Sequence, residues 1–381
     1  MQRTITIKIP HNESVVKTVN IFNRAVQDCI DIGWGLKTFN KNELHEFSYR
    51  LIRKTYPALQ SSLVQCARDQ ASDILKRVGF EQDRKPIKKI DGSVRYNART
   101  YTPKLVKNII NISTVDGRKT FTLDIPECFK KYKHGTVKGM VLAPRDKFFL
   151  IRLVVEIENP EFKYKKVRML GIDCGINKIA VCSDNTFFAS KELKKRKGEF
   201  LYLRKKLQQK GTRSAKRLLV KISGREKRFV ADVNHRVSKT IVNSRYNTFV
   251  FEKLSVKKSK KLGKRFNRKL GGWSFRQLQM FTEYKALELG KMVVYVNPAY
   301  TSQTCSVCAT TQKSFRHGNL FSCNKCGLNL DADLNASRNL AMLGKSIHGR
   351  LSVNQPNVSC DDVASAKTQL QRSIVTSHLT C

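Results

Sequence analysis

Ile5, Ile7 and Ile9 alternate with Thr4, Thr6 and Lys8 at the start of the chain, predicting a half-buried strand closed by Pro10. From about residue 14 the period lengthens. Val16, Val19, Phe22, Val26 and Ile30 follow helical spacing until Gly33 and Gly35 break it. A second helix fits Lys41 to Lys54 before Pro57, and Ser61 or Ser62 can cap a third through Leu63, Ala67, Ile74 and Leu75. Alternation returns after about residue 93. Residues 109–125 place Asp116-Gly117 between two alternating segments, and 138–158 read as another hairpin, turning at Pro144, Arg145 and Asp146. The pattern predicts a β-barrel of residues 1–12 and 93–165 carrying a helical insertion, 13–92.

The texture changes near residue 166. Residues 167–173 form an apolar strand ending in Asp173, and 179–189 a hairpin turning at Asp184-Asn185. After a basic helical region at about 191–245, residues 247–254 read as a buried central strand carrying Glu252. A helix (about 273–290), a strand (292–296), a cysteine module and a helix from Asp333 complete the predicted elements. Residues 346–381 show no period and are expected to be a mobile tail. No apolar stretch is long enough to span a bilayer, and MQRTITIKIPHNES lacks the apolar core of a signal peptide. A cytoplasmic, reducing location is therefore expected, where eleven cysteines do not imply disulfides.

Charge narrows the function. With 73 Lys+Arg against 30 Asp+Glu, the 381-residue chain carries +43. Such a surface needs a polyanion, and nucleic acid fits better than an acidic membrane because each neutralised phosphate releases counterions. Sixteen Lys/Arg fall within residues 191–228 and eight within 257–269. Lys194, Lys195, Arg196, Lys205, Lys206, Arg225, Arg228, Lys257, Lys258, Lys261, Arg265 and Arg268 are candidate contacts to sugar-phosphate backbones.

Cys305-x-x-Cys308, fourteen residues, then Cys323-x-x-Cys326 is the spacing of a four-thiolate zinc ribbon. Redox dithiols are the competing reading, and His317 between the knuckles is a possible alternative ligand. Four cysteines already close a tetrahedral site, so a zinc ion here is structural. Ala309, where a glycine commonly follows the first knuckle, is tolerable if its φ is not positive.

Asp173 and Glu252 end apolar strands, where charge is costly unless paired or metal-bound. Asp331 and Asp333 open a helix, and Asp331 suits its N-cap. Any one of these acids has an ordinary explanation. Together, Asp173, Glu252 and Asp333 are what a nuclease of RNase H type needs to hold two Mg²⁺ ions for phosphodiester hydrolysis.

Several ordered motifs resemble the TnpB (OrfB) family of transposon-associated RNA-guided nucleases, relatives of miniature type V CRISPR effectors. They are GIDCGINKIA (171–180), DVNHRVSKTIV (232–242), FVFEKL (249–254), NPAYTSQTCSVC (297–308) and DADLNASRNL (331–340). The resemblance implies an α/β fold: a RuvC-like (RNase H-like) nuclease domain at 166–345 with a zinc ribbon at 300–330. A β-barrel wedge domain with a helical recognition insertion precedes it. It implies Asp173, Glu252 and Asp333 as catalytic Mg²⁺ ligands, and a guide RNA and target double-stranded DNA as partners of a monomer. No second nuclease motif of HNH type is visible, so one site would cut both strands. A nuclease-inactive RNA-guided repressor and an RNase H-like transposase are the alternatives. The complete acidic triad weighs against the first, and the ribbon between the second and third motifs against the other.

Overall fold

The N-terminal alternation folds as a strand: in this computed structural model β1 (Gln2–Pro10) turns Ile5, Ile7 and Ile9 inward, each buried. The structure describes residues 1–348 apart from 82–83, 163, 165, 255–262, 264–266 and 268–273. The chain divides into two compact units, Met1–Glu158 and Asn159–Cys381.

In the first unit three helices follow β1: α1 (Glu13–Gly35), α2 (Lys41–Thr55) and α3 (Ser61–Val78). Asn12 and Asn40 cap the first two, accepting from the N–H groups of Val15 and Asn42. The expected serine cap of α3 is absent, because Gln60 takes that position without a side-chain bond. Gly33 does not break α1. A Cβ there would lie 2.5 Å from Leu75 Cδ1, so glycine admits α3 against α1.

The strands of this unit make two antiparallel sheets, ordered β1-β7-β6-β2 and β3-β4-β5. They comprise β2 (Val94–Tyr96), β3 (Tyr101–Lys104), β4 (Ile109–Thr114), β5 (Gly117–Thr122), β6 (Thr136–Arg145) and β7 (Phe148–Glu156), with the single turn α4 (Glu127–Lys130) between β5 and β6. The β4–β5 hairpin turns one residue earlier than its sequence suggests, at Val115-Asp116. Gly117, with φ 89°, already pairs with Thr114 as the first residue of β5.

The second unit is built on a five-stranded sheet ordered β10-β9-β8-β11-β12. Its strands are β8 (Met169–Asp173), β9 (Lys178–Cys182), β10 (Phe187–Ala189), β11 (Thr248–Glu252) and β12 (Met292–Val296). β8, β11 and β12 run parallel, while β9 and β10 are antiparallel to their neighbours. The basic region between β10 and β11 forms α5 (Lys191–Lys210) and α6 (Arg213–Val242), separated at Gly211 with φ 65°. After α7 (Phe275–Glu288) and β12 come three short strands, β13 (Arg316–His317), β14 (Leu320–Ser322) and β15 (Asn329–Asp331), then α8 (Ala332–His348). The tail expected from residue 346 thus begins inside α8, and from 349 onward it lies outside the described residues.

Because β8 and β11 lie inside the sheet with helices on both faces, they read as continuous apolar runs. Leu170, Ile172, Phe249 and Phe251 pack with Val237 and Ile241 of α6 and Leu278 of α7. Met169, Val250, Val294 and Val296 pack with Leu340 of α8. Gly171 is required for that second contact. A Cβ on it would lie 1.9 Å from the Ser337 carbonyl oxygen and 2.6 Å from the Ala341 nitrogen, both backbone atoms of α8. Backbone cannot swing aside as a flexible side chain can. Among the described residues no helix is long and apolar enough to cross a membrane.

Gly171→Ala is expected to cost about 3 kcal/mol or more, since one methyl must push α8 off the sheet. Urea unfolding checks this, and an unchanged midpoint would refute the close approach.

Candidate active site and cysteine cluster

Asp173 and Glu252 each stand one position beyond the paired residues Ile172 and Phe251, at the same end of the parallel strands β8 and β11. Asp333 lies in the first turn of α8, the helix that Gly171 admits against β8. The fold therefore brings together all three acids singled out in the sequence. Burial pushes the Asp173 carboxyl up to about 8, and the nearby charges of Glu252 and Asp333 push the same way. Burial also raises Glu252, opposed by a hydrogen bond from Thr301 Oγ1 to its Oε1 at 2.7 Å and by the charge of Arg316.

Two cations not foreseen in the sequence offset this cluster. Arg316, on β13, donates to Asp333 Oδ1 at 3.1 Å, and Lys178, opening β9, lies 3.3 Å from Asp333 Oδ2. Lys178 also pairs with Asp331, whose other oxygen accepts from the N–H groups of Asp333 and Leu334. Asp331 is thus the helix cap, as its position suggested. Burial works against the Lys178 charge, but Asp331 and Asp333 outweigh it and raise its pKa.

The Asn of the DLN motif has a structural duty. Asn335 is fully buried; its amide donates to the Thr304 carbonyl at 2.7 Å and its oxygen accepts from Ser306 N–H at 2.9 Å. Asn339 donates to the carbonyls of Thr301 and Thr304 at 2.8 and 2.7 Å. These bonds fasten the segment entering the cysteine module to α8, and so place Thr301 on Glu252.

A divalent cation suits this donor set. The acids supply hard oxygens, and a carboxyl raised to about 8 by burial and like charge is one that a cation would ionise. The carboxylates are spread more widely than the cysteine sulfurs, which all lie within 4.8 Å of one another and form the one such group among the described residues.

The sulfur pairs Cys305–Cys326 and Cys308–Cys323 are each 3.6 Å apart. A tetrahedral zinc with bonds of about 2.3 Å has sulfur–sulfur edges of about 3.8 Å, so the cluster fits that ion. His317 is not part of the group. Both knuckles close alike: Ala309 N–H donates to Cys305 O and Gly327 N–H to Cys323 O. Both residues also need positive φ, 74° for Gly327 and 59° for Ala309. The condition under which alanine was tolerable is not met, and Ala309 bears left-handed strain.

Lys194, Lys195, Arg196, Lys205 and Lys206 lie exposed on α5, and Arg225 and Arg228 on α6. Arg196 pairs with Glu199 at 2.9 Å and sits over the Phe229 ring, while Lys206 covers Tyr202. Lys257, Lys258, Lys261, Arg265 and Arg268 fall outside the described residues.

With this geometry in place, the similarities are informative. A family profile described as "Probable transposase" matches residues 152–263, and the "Cas12f1-like, TNB domain" profile matches residues 275–340. A TnpB-like protein of Methanocaldococcus jannaschii is 37% identical over 248 residues, covering 61% of this chain and 84% of its own length. The chain belongs to the TnpB-like family. It is also 38% identical over 114 residues to the CRISPR-associated endodeoxyribonuclease Cas12f1 of Sulfoacidibacillus thermotolerans, 29% of this chain and 26% of that one. InsQ of Escherichia coli K12, named as a candidate RNA-guided DNA endonuclease, is 28% identical over 56% of this chain and 58% of its own length.

Metal analysis of purified protein is expected to give about one zinc per chain, from a single four-thiolate site. Ala309→Gly is expected to stabilise the protein by about 1 kcal/mol in thermal melting, because glycine adopts positive φ without strain. A lower melting temperature would contradict the strained knuckle.

Asp173 makes a pH prediction for protein without added magnesium. Its folded-state pKa, about 8, exceeds the ordinary 3.8, so the folded state binds more protons between those values. Stability must then fall as pH rises from about 4 to 8. Asp173→Asn should remove that decline and melt higher than wild type at pH 8, by roughly 2–4 °C for each kcal/mol relieved. A wild type that melts higher there would show that Asp173 is not destabilised.

Proposed function

We propose that this chain is an RNA-guided DNA endonuclease whose cutting centre is Asp173, Glu252 and Asp333. One observation carries the reading. Three acids from β8, β11 and α8 converge in a protein of charge +43, close enough that their mutual charge holds Asp173 protonated. Only a cation or a catalytic duty makes such a cluster worth its cost in stability.

The sheet of two antiparallel and three parallel strands, β10-β9-β8-β11-β12, supports an RNase H-like (RuvC) reading of residues 166–345, with a zinc ribbon at 300–330. The sheets of the first unit serve as the β-barrel wedge, and α1–α3 as the recognition insertion. The relatives' names support guidance by RNA and cleavage of DNA.

Two Mg²⁺ ions, when bound by these carboxylates, would supply an activated water and stabilise the leaving oxygen. Asp173 and Glu252 present their oxygens from the rigid ends of paired strands. Asp333 presents its own from a helix fixed by the Asp331 cap. Thr301 orients Glu252, and Lys178 and Arg316 screen the acids from one another. The basic α5 and α6 hold nucleic-acid backbone without reading sequence, which is left to base pairing with the guide.

The protein with Mg²⁺ alone is expected to be nearly inert on a duplex. RNA matching one strand beside a short flanking motif is expected to switch on cutting of both strands. Asp173→Ala or Glu252→Ala should abolish cutting and leave RNA binding intact. Cleavage followed on matched and unmatched duplexes decides. Cutting that ignores the guide removes RNA guidance, and near wild-type cutting by either variant removes the carboxylate assignment.

A further inference from the structure

Immediately beyond the carboxylates lies a cavity of about 540 Å³, within the range of small-ligand sites. Its floor begins at Gly175, two residues after Asp173 and so at most about 7 Å further along the backbone. Ile176, Ile179, Leu193, Leu201, Phe275 and Leu278 make it mainly apolar. Its cations come from α5, where Lys194, Lys197 and Arg204 share the helix face of Leu193 and Leu201. Lys194 donates to Asn177 Oδ1 at 2.9 Å, and Arg204 neutralises Glu226, the acid of the lining.

Gly198 also lines this space, in the middle of α5. Glycine inside a helix is destabilising relative to alanine. Packing does not demand it here, because a Cβ on Gly198 would meet nothing within 4 Å. What the glycine preserves is room in the cavity. Leu201, on the same face, remains 40% exposed.

Resting on the nuclease reading above, we propose that this cavity is a base pocket: it receives a nucleobase of the single strand drawn to the carboxylates, with that nucleotide's phosphate on Lys194 and Lys197. An apolar hollow beside paired lysines matches a nucleotide, which has an apolar face and an anionic tail. An uncharged ligand leaves the lysines unused, and an acidic peptide leaves the hollow unfilled.

Full-length protein, with its zinc and no other divalent metal, is added to short single-stranded DNA carrying 2-aminopurine at one position at a time. One position is expected to change its emission on binding. Gly198→Leu, which grows into the cavity, is expected to abolish that change and weaken binding roughly 5- to 100-fold, the worth of stacking one base. Its melting temperature should stay at or above wild type, and Gly198→Ala should keep the signal. An emission that changes at no position, or persists in Gly198→Leu, overturns the pocket. The readout needs no cleavage, so the two failures separate. Guide-matched cutting with no base signal removes the pocket alone, whereas a base signal without any cutting keeps the pocket and removes the nuclease reading.

Discussion

The close approach of helix α8 to strand β8 is the constraint on which the site depends. Gly171 has no Cβ, so the backbone at Ser337 and Ala341 can settle directly on the strand. Gly344 repeats the arrangement one strand over, where a Cβ would lie 2.5 Å from Val250 Cγ2. At the carboxylate end of that interface the same helix delivers Asp333 toward Asp173. A helix held away by one methyl group at each crossing would leave the two acids on separate surfaces, and the charge that raises Asp173 would be lost.

Electrostatics then opposes what packing imposes. Converging acids destabilise the fold between about pH 4 and 8, and the structure offsets this with Lys178 and Arg316 rather than by spreading the acids apart. Arg316 comes from the cysteine module, and Asn335 and Asn339 tie the entrance of that module to α8. The cysteine cluster thus does more than hold its own loops. It supports the segment that brings Thr301 to Glu252 and an arginine to Asp333.

Periodicity revealed the three N-terminal helices, both hairpins of the first unit and the order of strands and helices in the second, because each rests on local hydrophobic pattern. The acids and the cysteines were legible because their chemistry and spacing are unusual. Lys178 and Arg316 were not, since nothing local distinguishes them among 73 basic residues, and their partner Asp333 lies 155 and 17 residues away. Gly171 read as an ordinary strand residue until α8 was seen above it. Ala309 depended on a backbone angle that sequence does not reveal, and the structure shows it positive. Gly33 misled for the same reason as Gly171, being needed for a neighbour rather than for a break.

The central claim is that close packing of α8 on β8 assembles a divalent-cation site from Asp173, Glu252 and Asp333. Titration of zinc-loaded protein with Mn²⁺, following the free ion by electron paramagnetic resonance, tests it without any nucleic acid. Saturable uptake by wild type that is lost in Asp173→Ala and in Glu252→Gln is the expected result. No saturable uptake, or uptake equal in wild type and both variants, would contradict it.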